Sequence, residues 1–191
     1  MEASKEGEMA GEGRPAEMSD LEWIVALEKI RQLKARRDRY VDAHDWDAYQ
    51  ALHAPDHVSY HASIPGEAEP VAWTSSEEMI RNVSKIMTEI DSITVHHSYD
   101  PEIVFDTPTK ARGIWAMTAA KVAQGDDGKP SWQITYGNYY ETYEKRDGRW
   151  LFTTRRWHQY LATGSNGVLF PKMPIQGSKA FEATGQAFGI G

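Results

Sequence analysis

The stretch from Tyr136 to Tyr160 constrains this chain most, because it reads as two long aromatic-rich strands around Arg146-Asp147-Gly148, a hairpin turn signal. Large side chains fall on both parities: Tyr139 and Tyr143 against Tyr140, then Trp150 and Phe152 against Leu151 and Trp157. A sheet with one wet face alternates more cleanly, so both faces of this hairpin are expected to pack. Asn138, Thr154, Arg156 and His158 are interleaved with that apolar surface. The mixture suits a curved sheet lining a ligand cavity better than an ordinary sandwich core.

The chain of 191 residues is long enough for one domain with a sizeable core. Its net charge of −7, with acids spread along the chain, lacks the basic stripe of a nucleic-acid footprint and does not suit an anionic membrane surface. There is no cysteine, which removes disulfides, thiolate nucleophiles and Cys-ligated zinc. No apolar run approaches the ~20 residues of a membrane span, and the acidic N-terminus has no secretory character. A cytoplasmic protein is the expectation.

Residues 1–18 are Glu- and Gly-rich and are expected to form a disordered acidic tail. Ser19-Asp20 offers an N-cap for a helix carrying Trp23, Ile24, Leu27, Ile30 and Leu33, running to about His44. Asp45-Trp46 starts a short helix through Leu52 that Pro55-Asp56 breaks, and residues 58–61 read as a strand. A loop comes next over 63–70, then a capped helix start at Thr74–Glu78. The period then changes to two, with strands expected at Ile93–Tyr99, Glu102–Phe105, Ala111–Ala123, Trp132–Lys145 and Trp150–Tyr160. Residues 163–191 are expected to be an irregular extension lying over the domain, 19–162, or over a neighbouring subunit. The order makes an α+β fold, a meander curling around helices.

Three segments resemble the NTF2-like superfamily in its SnoaL-like branch. Ile30–Trp46 resembles the first helix of that branch, Thr94–Phe105 its third-strand motif, and Tyr139–Trp150 its closing strands. The resemblance implies a cone-shaped α+β barrel and, from bile-acid 7α-dehydratases, hexachlorocyclohexane dehydrochlorinase and scytalone dehydratase, a cofactor-free lyase. Asp42 falls where those lyases place the carboxylate of a catalytic dyad, and His96 where they place the histidine base. His158 falls near an arginine of the bile-acid enzyme's pocket. Tyr60 or His61 falls near one of its tyrosines. Arg37 stands where that enzyme has a catalytic tyrosine, so Tyr60 is a candidate to supply a hydroxyl.

A carboxylate bonded to one imidazole nitrogen fixes the tautomer and stabilises the imidazolium as it forms. His96 and His97 point to opposite faces of a strand, so one at most faces inward. Trp115, Tyr136 and Trp157 are candidate substrate platforms, although such residues are more often core. Arg156 is the arginine expected on the inward parity. His53, His57 and His61 are set aside as a metal site, because strand residues four apart stand ~13 Å from one another.

The resulting expectation is a lyase removing water from a neutral or phenolic aromatic or polycyclic substrate. Sphingomonad diarylpropane lyases belong to the same superfamily, where loss of a benzylic hydroxyl precedes release of formaldehyde. An isomerase or polyketide cyclase working through an enolate, and a non-catalytic small-molecule-binding module, remain open alternatives. A partner is expected because one face of the hairpin lines the cone and the other needs covering; the lyases it resembles are mostly trimers, which implies a homotrimer, with a dimer as runner-up.

Overall fold

Ser19 closes a capping box: its hydroxyl accepts from the Glu22 backbone N–H while the Glu22 carboxylate accepts from the Ser19 N–H at 2.9 Å. From there α1 (Asp20–Asp42) buries Ala26, Ile30, Leu33, Lys34, Arg37, Asp38 and Val41, a stripe with three- and four-residue spacing. The stripe is apolar at its start and charged toward its end. His44, in the left-handed region at φ 55°, turns the chain into α2 (Trp46–Gln50), N-capped by Asp45. The computed structural model describes residues 13–61, 71–89, 92–124, 128–165 and 167–169. The expected 63–70 loop and the 125–127 part of the turn after Gln124 lie outside them.

After β1 (His53–His61) and β2 (Val71–Trp73) comes α3 (Ser76–Glu89), begun by Ser75, whose hydroxyl accepts from the Glu78 N–H. A meander completes the chain: β3 (Ile93–Thr107), β4 (Lys110–Gln124), β5 (Pro130–Arg146), β6 (Arg149–Gly164) and β7 (Gly167–Leu169). The sheet order is β2-β1-β6-β5-β4-β3, with β7 on β6; β1–β6 is parallel and the other pairs are antiparallel. The architecture is the α+β cone expected, a curved and unclosed sheet with helices over one face. No described helix is long and apolar enough to cross a membrane.

Several boundaries differ from the sequence expectation. Residues 13–18 are part of the domain: the Gly13 carbonyl accepts from the Phe105 N–H at 3.0 Å, and Met18 is buried in the core. β6 continues to Gly164 and β7 pairs back on it, so both belong to the sheet; residues 170–191 lie outside the described residues. The two strands expected between Ile93 and Phe105 are one, bulged between Tyr99 and Glu102, with Asp100 at φ 47°. Asp147 and Gly148, both with positive φ, form the expected hairpin turn.

The bulges decide which side chains enter the cone, because each extra residue reverses the facing of every residue beyond it. In β3 the inward residues are Thr94, His96 and Ser98 before the bulge and Ile103 and Phe105 after it. In β6 the register passes from Tyr143↔Phe152 to Thr142↔Thr154, which leaves Thr153 as the extra residue. Trp150 and Phe152 therefore share their face with Arg155 and Trp157, opposite Glu141 and Tyr139. Arg156 and His158, opposite Tyr140 and Asn138, face outward.

Candidate active site

Asp42, on the last turn of α1, reaches β3 with both carboxylate oxygens. Oδ2 accepts from the His96 backbone N–H at 2.7 Å; Oδ1 accepts from the Thr94 hydroxyl at 2.9 Å and lies 2.6 Å from His96 Nδ1. Helix end and strand are thus joined by three hydrogen bonds to one side chain. Because Nδ1 faces a carboxylate it carries the proton, so Nε2 presents a lone pair. His97 points to the other face and is exposed. The side chains of Asp42 and His96 keep about a fifth of their surface accessible, 20% and 17%, so a ligand can touch them.

Deeper in the cone, α1 places a charged network that sequence reasoning missed. Lys34 Nζ is buried and donates to Glu141 Oε1 at 2.6 Å; the Tyr143 hydroxyl donates to Glu141 Oε2 at 2.7 Å, and Trp115 Nε1 donates to the Tyr143 oxygen at 2.7 Å. Arg37 donates from Nη1 to Asp38 Oδ1 at 3.0 Å and from Nη2 to the Tyr49 hydroxyl at 2.8 Å. Burial, reinforced by Arg37 and Arg155, outweighs Glu141 and Asp38 and brings Lys34 down to about 8. Burial would raise Asp38, but Lys34 and Arg37 overcome it and hold the carboxyl below its ordinary value. The signal for this network was present in α1: Lys34, Arg37 and Asp38 share the stripe of Ile30 and Leu33, where a solvated charge has no place.

His53 and His57 are also inside, with ring centroids 4.7 Å apart. The ~13 Å separation expected of strand residues four apart does not hold, because the β1–β6 register shifts between His53 and Val58. Each Nδ1 faces a carbonyl, of Tyr49 at 2.8 Å and of Phe152 at 3.2 Å. Burial takes His57 down to about 3 and His53 well below its ordinary value, so both are neutral. Among the described residues no three His, Asp or Glu side chains gather as a metal would require.

The other sequence candidates separate by face. Trp115 and Trp157 point inward, Trp115 as a buried core residue bonded to Tyr143. Tyr60 pairs with Arg156 in the parallel β1–β6 ladder, and the Arg156 guanidinium stacks 4.7 Å from the Tyr60 ring centroid on the outer face. His158 is on the same face against Tyr160, whose hydroxyl accepts from Asn138 at 2.9 Å. Burial and the nearby Arg156 lower His158. Tyr136 is outward and exposed. Tyr60, His158, Arg156 and Tyr136 are therefore not brought to His96, and the arginine on the inward parity is Arg155, not Arg156. His61 ends β1, and its side chain lies outside the described residues. Clefts of about 160 and 340 Å³ flank the first half of α1 and contain neither Asp42 nor His96.

Solved structures share this fold. A putative scytalone dehydratase from Novosphingobium aromaticivorans aligns with a TM-score of 0.64 at 22% identity, over 76% of this chain and 91% of that one. The type-3 hexachlorocyclohexane dehydrochlorinase from Novosphingobium barchaimii aligns at 0.66 and 18%, over 82% and 100%. The beta subunit of the benzoate 1,2-dioxygenase from Burkholderia mallei aligns at 0.58 and 14%, over 70% and 89%. At these identities the likeness is one of fold. The profile of the SnoaL-like domain matches residues 24–156, and with that match over most of its length the chain belongs to the SnoaL-like family.

Proposed function

We propose that this protein is a cofactor-independent lyase that eliminates water, or a comparable group, from a hydroxylated aromatic or polycyclic compound. The observation that carries the reading is the clamp of Asp42 on His96, which leaves Nε2 as a base on a partly accessible side chain beside a charged interior. His96 Nε2 takes a proton from the carbon next to the hydroxyl-bearing one. The electrons of that C–H bond form the double bond as the C–O bond breaks, and the imidazolium returns its proton to the departing hydroxide. Alcohol becomes alkene plus water, with no oxidant consumed. Arg37, five residues before Asp42 on α1, takes the place of Tyr60 and His158 as the candidate to stabilise negative charge during the step.

The narrower form of the reading is a lignin-derived diarylpropanediol losing water and then formaldehyde to give a stilbene. The enolate alternative, an isomerase or cyclase, would use the same base and gain from the same buried cations. Ultraviolet absorbance over a panel of aromatic secondary alcohols and ketosteroids tests these readings, because elimination extends conjugation. A new conjugated-alkene band that wild type produces and His96→Ala does not is the expected result. Ketosteroid isomerisation without elimination would transfer the assignment to the enolate chemistry, and no turnover of any kind would leave a binding module.

A further inference from the structure

Tyr139 stands inside a ring of cations of which the elimination proposed above uses Arg37 alone. Lys34 Nζ lies 3.9 Å, the Arg155 guanidinium carbon 4.2 Å and that of Arg37 5.2 Å from its ring centroid. Two carboxylates answer these three charges: Glu141 takes Lys34, and Asp38 takes Arg37. Asp42, the third acid on this face, brings acids and cations to equal number, but both its oxygens are committed to neutral donors on β3. His53 and His57, held neutral by burial, add charge of neither sign. Arg37 Nε and Arg155 Nε are buried and find no acceptor among the described residues; Arg155 Nε is 3.9 Å from Glu141 Oε1, an ion pair without a hydrogen bond. A buried guanidinium N–H left unpaired is costly, so two of them gain from an added acceptor, and most from an anionic one. A water molecule would also satisfy the N–H groups, but without the charge-assisted bond that a carboxylate makes.

We infer that the interior around Tyr139 recognises a carboxylate, and that the substrate of the lyase proposed above is an aromatic hydroxy acid rather than a neutral alcohol. The inference rests on that reading for the word substrate, but not for the binding site. The carboxylate takes the free Nε–H groups of Arg155 and Arg37, a charge-assisted pairing that a neutral hydroxyl does not reproduce. The hydroxyl-bearing carbon then lies toward His96. The bulge at Thr153 is the structural cause, since without it Arg155 would face outward.

The test is calorimetric titration of the full-length protein at neutral pH with 3-phenylpropanoate and with its neutral isostere 3-phenylpropanamide. The carboxylate is expected to bind at least about tenfold tighter, and Arg155→Gln, with an unchanged circular dichroism spectrum, to reduce that preference to about threefold or less. Equal affinities, no carboxylate binding at millimolar concentration, or a full preference surviving in Arg155→Gln would each overturn the inference. Should Arg155→Gln not fold, the wild-type ratio of carboxylate to amide decides alone. A carboxylate preference without His96-dependent turnover would sink the lyase reading and leave this site standing. Turnover of neutral alcohols without the preference would do the reverse.

Discussion

His96 and Asp42 make the sharpest prediction at the scale of single residues. Removing a general base typically lowers rate by about 10²–10⁴-fold, so His96→Ala is expected to lower kcat by ~10² or more. Asp42→Asn should lower it as well, because an amide can donate to Nδ1 and so favour the wrong tautomer. Stopped turnover assays on folded protein check both, and near-wild-type kcat in His96→Ala would remove the histidine from the chemistry. His57 makes a separate prediction about stability. Unfolded, its imidazole takes a proton near the ordinary pKa of about 6.5; folded, it does so only near about 3. Above that unfolded pKa both states are neutral, so the stability is fully present. As pH falls from about 6.5 toward 3 the unfolded state alone binds the proton and stability is lost, by about 2 kcal/mol at pH 5 from this residue. His53 shifts in the same direction and adds to the loss. Urea unfolding at pH 7 and pH 5 measures it, and His57→Asn should flatten the difference; a pH-independent midpoint would contradict the burial argument. Asp42 and His96 were legible in sequence because their segments matched a family pattern. Lys34, Arg37 and Asp38 were legible in principle from their place on an apolar stripe, but a lone charged residue on a helix reads as solvated until its partner on β5 or α2 is known.

At the scale of elements the sheet is shaped by close approaches and bulges. β5 and β6 change register between Tyr136 and Gly137, and a Cβ on Gly137 would come within 2.1 Å of the His158 carbonyl oxygen. That neighbour is backbone and cannot swing aside, so Gly137→Ala forces the strands apart. An overpacked site typically costs about 1–3 kcal/mol. In a chain of this length that is a fall in Tm of roughly 2–4 °C for each kcal/mol. Gly148 is the contrasting case: it has φ 76° in open space, so Gly148→Ala meets only the backbone penalty, about 1 kcal/mol. Thermal unfolding of the two variants should rank Gly137→Ala below Gly148→Ala; the opposite order would mean that the bulge is soft. Most element types were legible because the hydrophobic period is helical in α1 and α3 and alternating from Ile93 onward. Bulge positions were not, since no residue type marks Thr153 as the extra residue, and the faces of Arg155, Arg156 and His158 depend on it.

At the scale of the molecule the outer face of the sheet remains apolar. Ile93, Val95 and Tyr99 on β3, Val122 on β4 and Trp132 and Tyr136 on β5 are exposed there, and a contiguous patch of this kind is a candidate contact. Reading it as the seam of a homotrimer, light scattering should give about three times the 21.6 kDa chain mass at micromolar concentration. Val95→Glu with Trp132→Glu should shift it toward monomer, and a stable wild-type monomer would contradict the assignment. Cofactor independence predicts that activity survives prolonged dialysis against EDTA; loss of activity restored by a single divalent metal would reopen the interior histidines.

The sequence by itself determined the α+β class, the succession of helices and then a strand meander, the capped start of α1 and the Asp-Gly hairpin turn, and the resemblance pointed to Asp42 and His96. Each depends on local chemistry or on a matched segment. Tertiary structure alone decided which arginine enters the cone, that His53 and His57 touch, and that Tyr60 and His158 belong to the outer face. The physical reason is that side-chain direction in a strand has a period of two, so one unmarked extra residue in β6 or β1 reverses everything beyond it.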